Sequence, residues 1–257
     1  MKTFDSSWFR LDDKVAIVTG GASGLGAFYT QALLKSGAKV LVVSRSQKGW
    51  PELKNFATDN QADIAFIQCD ITETDAPQRI MDAVQSTFGQ FDILINNAGL
   101  QRRATWDKFT DEDWRAVIDV NLNALYYLSH AAAKQMAPQH HGKIINVASM
   151  QSFRAGKFIF PYTASKHGVV GLTKAYADAL APDNIQVNAI APGYIDTPMT
   201  KALQDDPERN TEILAHIPAG HWADPRELMG TIVFLASEAS NYITGATIPV
   251  DGGYLLR

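Results

Sequence analysis

Short runs of apolar, β-branched residues alternate along the chain with longer segments whose apolar positions recur every three or four residues. The runs predict buried strands at 15–19, 40–43, 64–67, 92–95, 143–147, 185–190 and 246–250. The longer period predicts helices over 24–36, 75–88, 110–136, 161–180 and 225–236. Gly37 ends the first of these. No Pro/Gly/Ser-rich linker or shift in composition divides the chain, and no internal repeat is present. Regular β-α alternation calls for a parallel sheet covered by helices on both faces, and right-handed crossovers make it doubly wound. The expected fold is therefore α/β, a single domain over 1–257 built on a seven-stranded parallel sheet. Residues 194–222, including the segment 199–217, are poorest in strand signal and are the expected substrate lid.

Composition narrows the class. A hydrophobic fraction of 46 % and a charged fraction of 19 % over 257 residues fit a soluble globular enzyme with a sizeable core. A net charge of −4 argues against nucleic acid or an anionic membrane as partner. Cys69 is the single cysteine, so no intrachain disulfide forms, in keeping with a reducing compartment. No apolar run is long enough to span a bilayer, and the first residues lack the apolar core of a secretory leader. The expected location is the cytoplasm.

The first strand leads into Thr19-Gly20-Gly21-Ala22-Ser23-Gly24-Leu25-Gly26, which opens the first helix. Gly20, Gly24 and Gly26 allow a tight turn and close backbone approach to a pyrophosphate, with Ser23 and Leu25 in the same turn. The helix N-terminus supplies free N–H groups and a favourable dipole. An ordinary glycine-rich connection is the plainer alternative, but the position on the first strand–helix junction favours a Rossmann dinucleotide site. The second strand ends in Val43-Ser44-Arg45, with no acid for the adenosine ribose. Arg45 suits a 2′-phosphate, hence NADP; were it a solvated loop residue, NAD would bind through Ser44. Asp70 and Ile71 follow the third strand, where Asp70 is placed to accept from the adenine amino group. Asn97, Ala98 and Gly99 follow the fourth and let backbone lie beside the cofactor.

Tyr162-Thr163-Ala164-Ser165-Lys166 places a phenol and an ammonium on one helix face. A phenol of pKa about 10 is a poor proton-transfer group at neutral pH, and a nearby ammonium stabilises its phenolate. The pair alone is common by chance; Ser149 upstream gives it context. His167 lies on another face and reads as structural, and Asp196 reads as a turn residue. No His/Cys/carboxylate set has metal-ligand spacing, so no catalytic metal is expected.

With these pieces in this order, the chain resembles the short-chain dehydrogenase/reductase family over residues 11–257. The resemblance rests on the glycine turn, Asn96-Asn97-Ala98-Gly99, Asn121, Ser149, Tyr162-x-x-x-Lys166 and Pro192-Gly193. It implies an Asn-Ser-Tyr-Lys tetrad. Tyr162 would move the proton to or from the reacting oxygen, and Ser149 would hydrogen-bond that oxygen. Lys166 would bind the nicotinamide ribose and depress the Tyr162 pKa, and Asn121 would anchor a water linking Lys166 to solvent. Pro192, Gly193, Ile195 and Thr197 would fix the nicotinamide carboxamide, Ile195 through backbone and Thr197 through its hydroxyl. The family also implies a homotetramer, with helices 110–136 and 161–180 at one interface and the last strand and C-terminus at another. Arg257 is then placed to reach a neighbouring subunit's site.

Arg102 and Arg103 follow the fourth strand, at the end of the sheet where ligands bind. Guanidinium forks match a carboxylate, so a carboxylated substrate is one reading. Surface ion pairs with Asp107 or Asp111 are the other. Arg154, on the loop after Ser149, is a third carboxylate contact or a lid ion pair. Stretches 96–103, 142–153, 190–194, 209–214, 217–220 and 251–257 resemble the bacterial 2-dehydro-3-deoxy-D-gluconate 5-dehydrogenases, with gluconate 5-dehydrogenase as near neighbour. This implies an acyclic sugar acid with its C5 carbinol or ketone at Tyr162, contacted also by Ser149, Gln151 and Tyr194, and usually NAD as cofactor. Two departures stand out: Ser44-Arg45 replaces the acid of a strict NAD enzyme, and His221-Trp222-Ala223 replaces the common Arg-Trp-Gly. Another polyol or ketone reductase is the neighbouring reading. A catalytically silent dinucleotide-sensing protein and a structural subunit share the fold class; an intact tetrad favours the oxidoreductase.

Overall fold

Both faces of the central strands are buried, which is why they read as unbroken apolar runs. The computed structural model describes residues 3–257; Met1 and Lys2, the start of the expected domain, lie outside the described residues. In chain order the elements are β1 Val15–Thr19, α1 Gly24–Lys35, β2 Lys39–Ser44, α2 Trp50–Asp59, β3 Ile64–Gln68, α3 Ala76–Phe88 and β4 Ile93–Asn96. Then come α4 Asp111–Ile118, a π turn Asp119–Asn123, α5 Ala124–Met136, β5 Gly142–Val147, α6 Phe160–Leu180 and β6 Ile185–Pro192. The chain closes with α7 Lys201–Gln204, α8 Pro207–His216, α9 Met229–Ala236 and β7 Thr247–Val250.

The sheet is parallel throughout, in the order β3-β2-β1-β4-β5-β6-β7. Strand order reverses between β1 and β4, the switch point at which doubly wound sheets bind ligands. Alternate residues of each strand feed two cores. Ala16 and Val18 pack with Tyr29 and Leu33 of α1 and with Ile232 and Leu235 of α9. Val15 and Ile17 pack on the other face with Ile80 and Val84 of α3, and with Leu128 and Met136 of α5. This is the expected architecture, a seven-stranded Rossmann-type sheet sandwiched by helices.

Three local readings change. The chain forms α2, absent from the expected helices, with only Leu53 and Ala57 fully buried. Trp50 stacks on Phe66 with centroids 5.1 Å apart and fixes this helix to β3. The single helix expected over 110–136 is interrupted, since at Asp119–Asn123 the ladder shifts to i→i−5, with the Ala124 N–H donating to the Asp119 carbonyl. Asp92 precedes β4 instead of opening it, and its carboxylate accepts from the Val15 N–H at 2.8 Å. Among the described residues no helix is long and apolar enough to cross a membrane.

Candidate active site

The end of β1 is held to the end of β4 by one threonine. The Thr19 hydroxyl accepts from the N–H groups of Asn97 and Ala98, each at 3.0 Å, and the Asn97 amide donates to the Thr19 carbonyl at 2.9 Å. The glycine turn is clamped between them. A Cβ on Gly26 would sit 2.2 Å from the Gly20 carbonyl oxygen and 2.5 Å from Asn97 Nδ2, so no side chain fits. Gly24 has φ +52° with open space where its Cβ would be, and Ser23 at the N-cap of α1 makes no side-chain cap bond. The first turn of α1 therefore presents N–H groups that no side chain covers, in front of a backbone only glycine adopts freely. That is the donor set a pyrophosphate needs.

The other expected cofactor residues lie along the same carboxyl edge. Ser44 ends β2, and Arg45 is exposed beyond it. Burial pushes Asp70 up, but two bonds from Thr72 and the field of Arg45 outweigh it, and its carboxyl ends below the ordinary range. Those bonds, at 3.0 and 2.8 Å, occupy Asp70 Oδ1. Ile71 packs against the α3-side core and Leu25 against the α1-side core. Pro192 ends β6, and the Gly193 N–H donates to Val250 at 3.0 Å. Ile195 is buried in an isolated bridge to Ala223 that uses the Tyr194 carbonyl and the Asp196 N–H. The Ile195 carbonyl accepts from the Thr200 hydroxyl at 2.6 Å, which leaves its N–H as the group for a ligand. The Thr197 hydroxyl lies 3.4 Å from that of Thr200.

The tetrad residues converge at the ends of β4 and β5. Ser149 caps a short turn, its Oγ accepting from the Gln151 N–H at 3.1 Å, and the Ser152 hydroxyl donates to the Lys166 carbonyl at 2.7 Å. Tyr162 and Lys166 share a face of α6, with Lys166 Nζ 5.6 Å from the Tyr162 ring centre. Asn121 is 1 % exposed and held in the π turn. Its side chain accepts from the Leu100 N–H at 2.7 Å, and donates to the Leu100 carbonyl at 2.9 Å and to Ser165 Oγ at 3.1 Å.

The Asn121 side chain braces the loop after β4 against α6. Burial pushes the Tyr162 phenol up, opposed only by the Ser149 hydroxyl beside it. The Lys166 ammonium donates to the Val147 carbonyl at 2.6 Å, and burial brings it down to about 8.

The arginines separate. Arg102 is exposed and faces Asp113 at 3.6 Å, a pairing different from the expected Asp107 or Asp111. Arg103 donates to the Lys157 carbonyl at 3.1 Å. Arg154 lies 4.9 Å over the Tyr254 ring, with its Nη1 3.3 Å from His216 Nε2. Tyr194 packs edge-on against Trp222 at 5.0 Å and Tyr254 at 5.2 Å, and burial, reinforced by Tyr254, pushes its phenol up to about 12. Met150, next to Ser149, joins Tyr254, Ile213 and Ile217 in one apolar cluster, which ties this group to the tetrad. Gln151 is buried, and its Oε1 has no hydrogen-bond partner.

His216 and Tyr254, which flank Arg154, carry no sequence signal of their own, although 251–257 was among the stretches that carried the closer resemblance. The Arg257 carbonyl lies 3.2 Å from His216 Nε2 of its own chain. His167 bonds the Thr163 carbonyl and Asp196 accepts from Gln204, both structural contacts. Among the described residues no three His, Cys, Asp or Glu side chains gather as metal ligands.

Comparison with known proteins agrees with this geometry. A family model described as enoyl-(acyl carrier protein) reductase matches residues 20–255. The chain is 47 % identical over 257 residues to the uncharacterized oxidoreductase YgcW of Escherichia coli (strain K12), covering all of this chain and 98 % of that one. It is 43 % identical over 251 residues to 2-dehydro-3-deoxy-D-gluconate 5-dehydrogenase of Bacillus subtilis (strain 168), covering 97 % of each. Among solved structures, gluconate 5-dehydrogenase of Burkholderia cenocepacia in complex with NADP and tartrate superposes with a TM-score of 0.92 at 37 % identity, covering 98 % of both chains. A glycine turn at the switch point, a Ser-Tyr-Lys set on β5 and α6, and these relatives agree: the chain belongs to the short-chain dehydrogenase/reductase family of oxidoreductases.

Proposed function

We propose that the protein is an NADP-dependent dehydrogenase that interconverts the C5 carbinol and C5 ketone of 2-dehydro-3-deoxy-D-gluconate. The observation that carries this reading is the arginine–aromatic cluster built on Met150, immediately beside Ser149. It provides cationic contacts for a carboxylate and phenols for hydroxyls next to a proton-transfer tyrosine. The Bacillus subtilis relative bears the same activity in its name. The NADP preference rests on Arg45, exposed past β2 without an acid at that strand end. The Burkholderia cenocepacia structure holds NADP and favours gluconate 5-dehydrogenase as the second reading.

In this mechanism the α1 N-terminus, with Gly20, Gly24 and Gly26, would hold the cofactor pyrophosphate, and the backbone at Asn97, Ala98 and Gly99 would line the nucleotide. The Pro192–Thr197 segment positions the nicotinamide, through the Ile195 N–H and the Thr197 hydroxyl. The bound cofactor would supply a hydride acceptor at that edge in its oxidised form and a hydride donor in its reduced form. Ser149 donates to the C5 oxygen and holds it. Tyr162 takes the hydroxyl proton in oxidation and returns it in reduction. The upward push on Tyr162 keeps it a phenol at neutral pH, so the unliganded site is poised as a proton donor for ketone reduction. Lys166 would hold the cofactor ribose, with its charge then acting on the phenol. Residues 194–222 close over the substrate.

The protein works as a cytoplasmic homotetramer in this reading. Exposed Tyr126 on α5, stacked with His130, edge-on to exposed Tyr127 and close to Tyr176 of α6, supplies an aromatic face suited to self-association.

Initial rates on 2-dehydro-3-deoxy-D-gluconate, with NAD and NADP in parallel and D-gluconate as comparator, test the assignment. Higher kcat/KM on the deoxy keto acid supports it. Activity on D-gluconate alone moves it to the second reading. Tyr162→Phe should lose nearly all turnover while still binding cofactor; unchanged turnover would return the chain to the sensing or structural classes.

A further inference from the structure

Thr200 stands behind Ile195 and Thr197, and its one hydroxyl serves both. It donates to the Ile195 carbonyl at 2.6 Å or the Thr197 carbonyl at 3.0 Å, and accepts from the Thr197 N–H at 3.2 Å. Its oxygen also lies 3.4 Å from the Thr197 hydroxyl and 3.5 Å from the Gln204 amide. A threonine hydroxyl has one proton to give and two lone pairs to offer. Whichever carbonyl takes that proton, none is left for the Thr197 hydroxyl, so Thr197 is the donor in their contact. The Thr197 N–H fills one lone pair. The Gln204 amide is already bonded to Asp196 at 2.9 Å and is the more distant claimant, so the second lone pair goes to the Thr197 hydroxyl. The Thr197 oxygen then turns only lone pairs outward. Thr197 lines an open cavity with Pro198, Pro225 and Phe28, and Phe28 stands on α1 two residues past Gly26. The Ile195 N–H has no partner among the described residues. One backbone donor and one obligate acceptor thus stand two residues apart, on the side of the sheet where the glycine turn opens.

We propose that Thr200 is a positioning residue that fixes the polarity of the Thr197 hydroxyl, so that the site accepts the nicotinamide carboxamide one way round. The inference rests on the reading that residues 192–197 hold the nicotinamide, and deepens it. The Ile195 N–H would donate to the carboxamide carbonyl, and the Thr197 oxygen would accept from its NH2 group. Thr200 itself touches neither. A hydroxyl free to rotate meets either end of an amide, because it can donate or accept. A hydroxyl whose proton is committed to Thr200 rejects a carbonyl, since two acceptors would then face each other. The carboxamide is thereby held in one rotamer, and the ring with it.

The test reads binding rather than turnover. Dissociation constants are measured by protein fluorescence for full-length wild type, Thr200→Val, Thr200→Ser and Thr197→Val. The ligands are NADP, its 3-acetylpyridine analogue, which keeps the carbonyl but has no NH2 group, and 2′-phospho-ADP-ribose, which has no nicotinamide. The NAD series runs alongside, and the series that binds more tightly is the one read. Wild type should bind the analogue about 3- to 10-fold more weakly than the parent dinucleotide, the range of one neutral hydrogen bond. Thr200→Val should bring that ratio below about 2-fold, since the freed Thr197 hydroxyl can donate to the acetyl group. Thr200→Ser should keep the wild-type ratio. The ligand without nicotinamide should bind all four proteins alike, which reports an intact fold. A merely structural Thr200 would weaken parent and analogue equally, so a wild-type ratio in Thr200→Val overturns the proposal, as does a wild type that binds parent and analogue alike. If in addition the ligand without nicotinamide binds as tightly as the parent and Thr197→Val changes nothing, the nicotinamide reading of residues 192–197 fails as well.

Discussion

Replacing Lys166 by methionine should make the folded protein more stable while abolishing turnover, and the gain should depend on pH. Lys166 is 4 % exposed, and burial brings its ammonium from 10.5 down to about 8. The folded state then releases its proton near pH 8, whereas the unfolded chain keeps it to about 10.5. Between these values the unfolded state binds more protons, so wild-type stability rises with pH. Below pH 8 the buried charge costs about 3 kcal/mol, from 2.5 pH units at about 1.4 kcal/mol each. From pH 8 to pH 10 about 2 kcal/mol of this is recovered. The stability advantage of Lys166→Met over wild type should therefore be about 2 kcal/mol larger at pH 8 than at pH 10. Urea unfolding of both proteins without cofactor at pH 7, 8, 9 and 10 measures it, and groups common to both, such as the buried Cys69, largely cancel in the difference. Lys143 is the control. It too is brought down to about 8 by burial, but it opens β5 at the end opposite Ser149 and donates to Asn241 at 2.8 Å. Lys143→Met should show the same pH dependence and keep its turnover. A Lys166→Met advantage constant to within about 0.5 kcal/mol from pH 8 to 10 would refute the argument, because it would mean that Lys166 titrates alike in both states.

Gly26→Ala places a methyl group against the Gly20 carbonyl and Asn97, so it should cost about 1–3 kcal/mol and weaken NADP binding at least about tenfold by fluorescence titration. Arg45→Asp should lower the ratio of kcat/KM for NADP to that for NAD by about tenfold or more, and an unchanged ratio would show that Arg45 does not reach the 2′-phosphate. Asn121→Ala strips the partners from both backbone groups of Leu100 and should cost about 2–4 kcal/mol by urea unfolding, with loss of turnover. Because burial pushes Tyr162 up, oxidation, which needs the phenolate, should accelerate from pH 7 to 9.5 while reduction does not; a flat oxidation profile would argue against Tyr162 as the base.

The strands were legible because a parallel sheet covered on both sides must be apolar on both faces, and no other element of that length is. The glycine turn was legible because close packing at Gly26 and the positive φ of Gly24 leave few other residues possible. The helix α2 was not, since two buried positions carry no clear period. The π turn was hidden for a related reason: one extra residue in a ladder barely disturbs an i, i+3, i+4 pattern, yet it changes which face Asn121 presents. Tyr162 and Lys166 could be named from spacing, but not the preference of Lys166 for the Val147 carbonyl, which depends on side-chain reach in three dimensions. Arg154 lies on a loop where an arginine is ordinary, and its seat over Tyr254 beside His216 depends on the C-terminal turn and α8 packing onto that loop.

The division between rigid and movable parts follows from where each group is anchored. Asn121 bonds the loop after β4 and Ser165 of α6 with one amide, and the Ser165 hydroxyl in turn donates to the Tyr162 carbonyl at 2.8 Å. The loop that leads to Arg103 and the helix that carries Tyr162 are thus braced by the same buried residue, and a strain on one reaches the other. Ser149 stands on a turn whose Ser152 bonds the Lys166 carbonyl, so the proton-transfer groups share a second brace. By contrast, α8 is attached through a small cluster around Ile213, Ile217 and Tyr254 and through the bond from the Trp222 indole to Asn210. Few buried contacts mean a low free energy of local opening. Chemistry that must be identical for every substrate is fixed by sheet and buried helix, whereas in the proposed reading recognition rests on the less firmly anchored segment around α8. A change of substrate in this fold should therefore begin on α8 and the C-terminal turn, and leave Ser149, Tyr162 and Lys166 untouched.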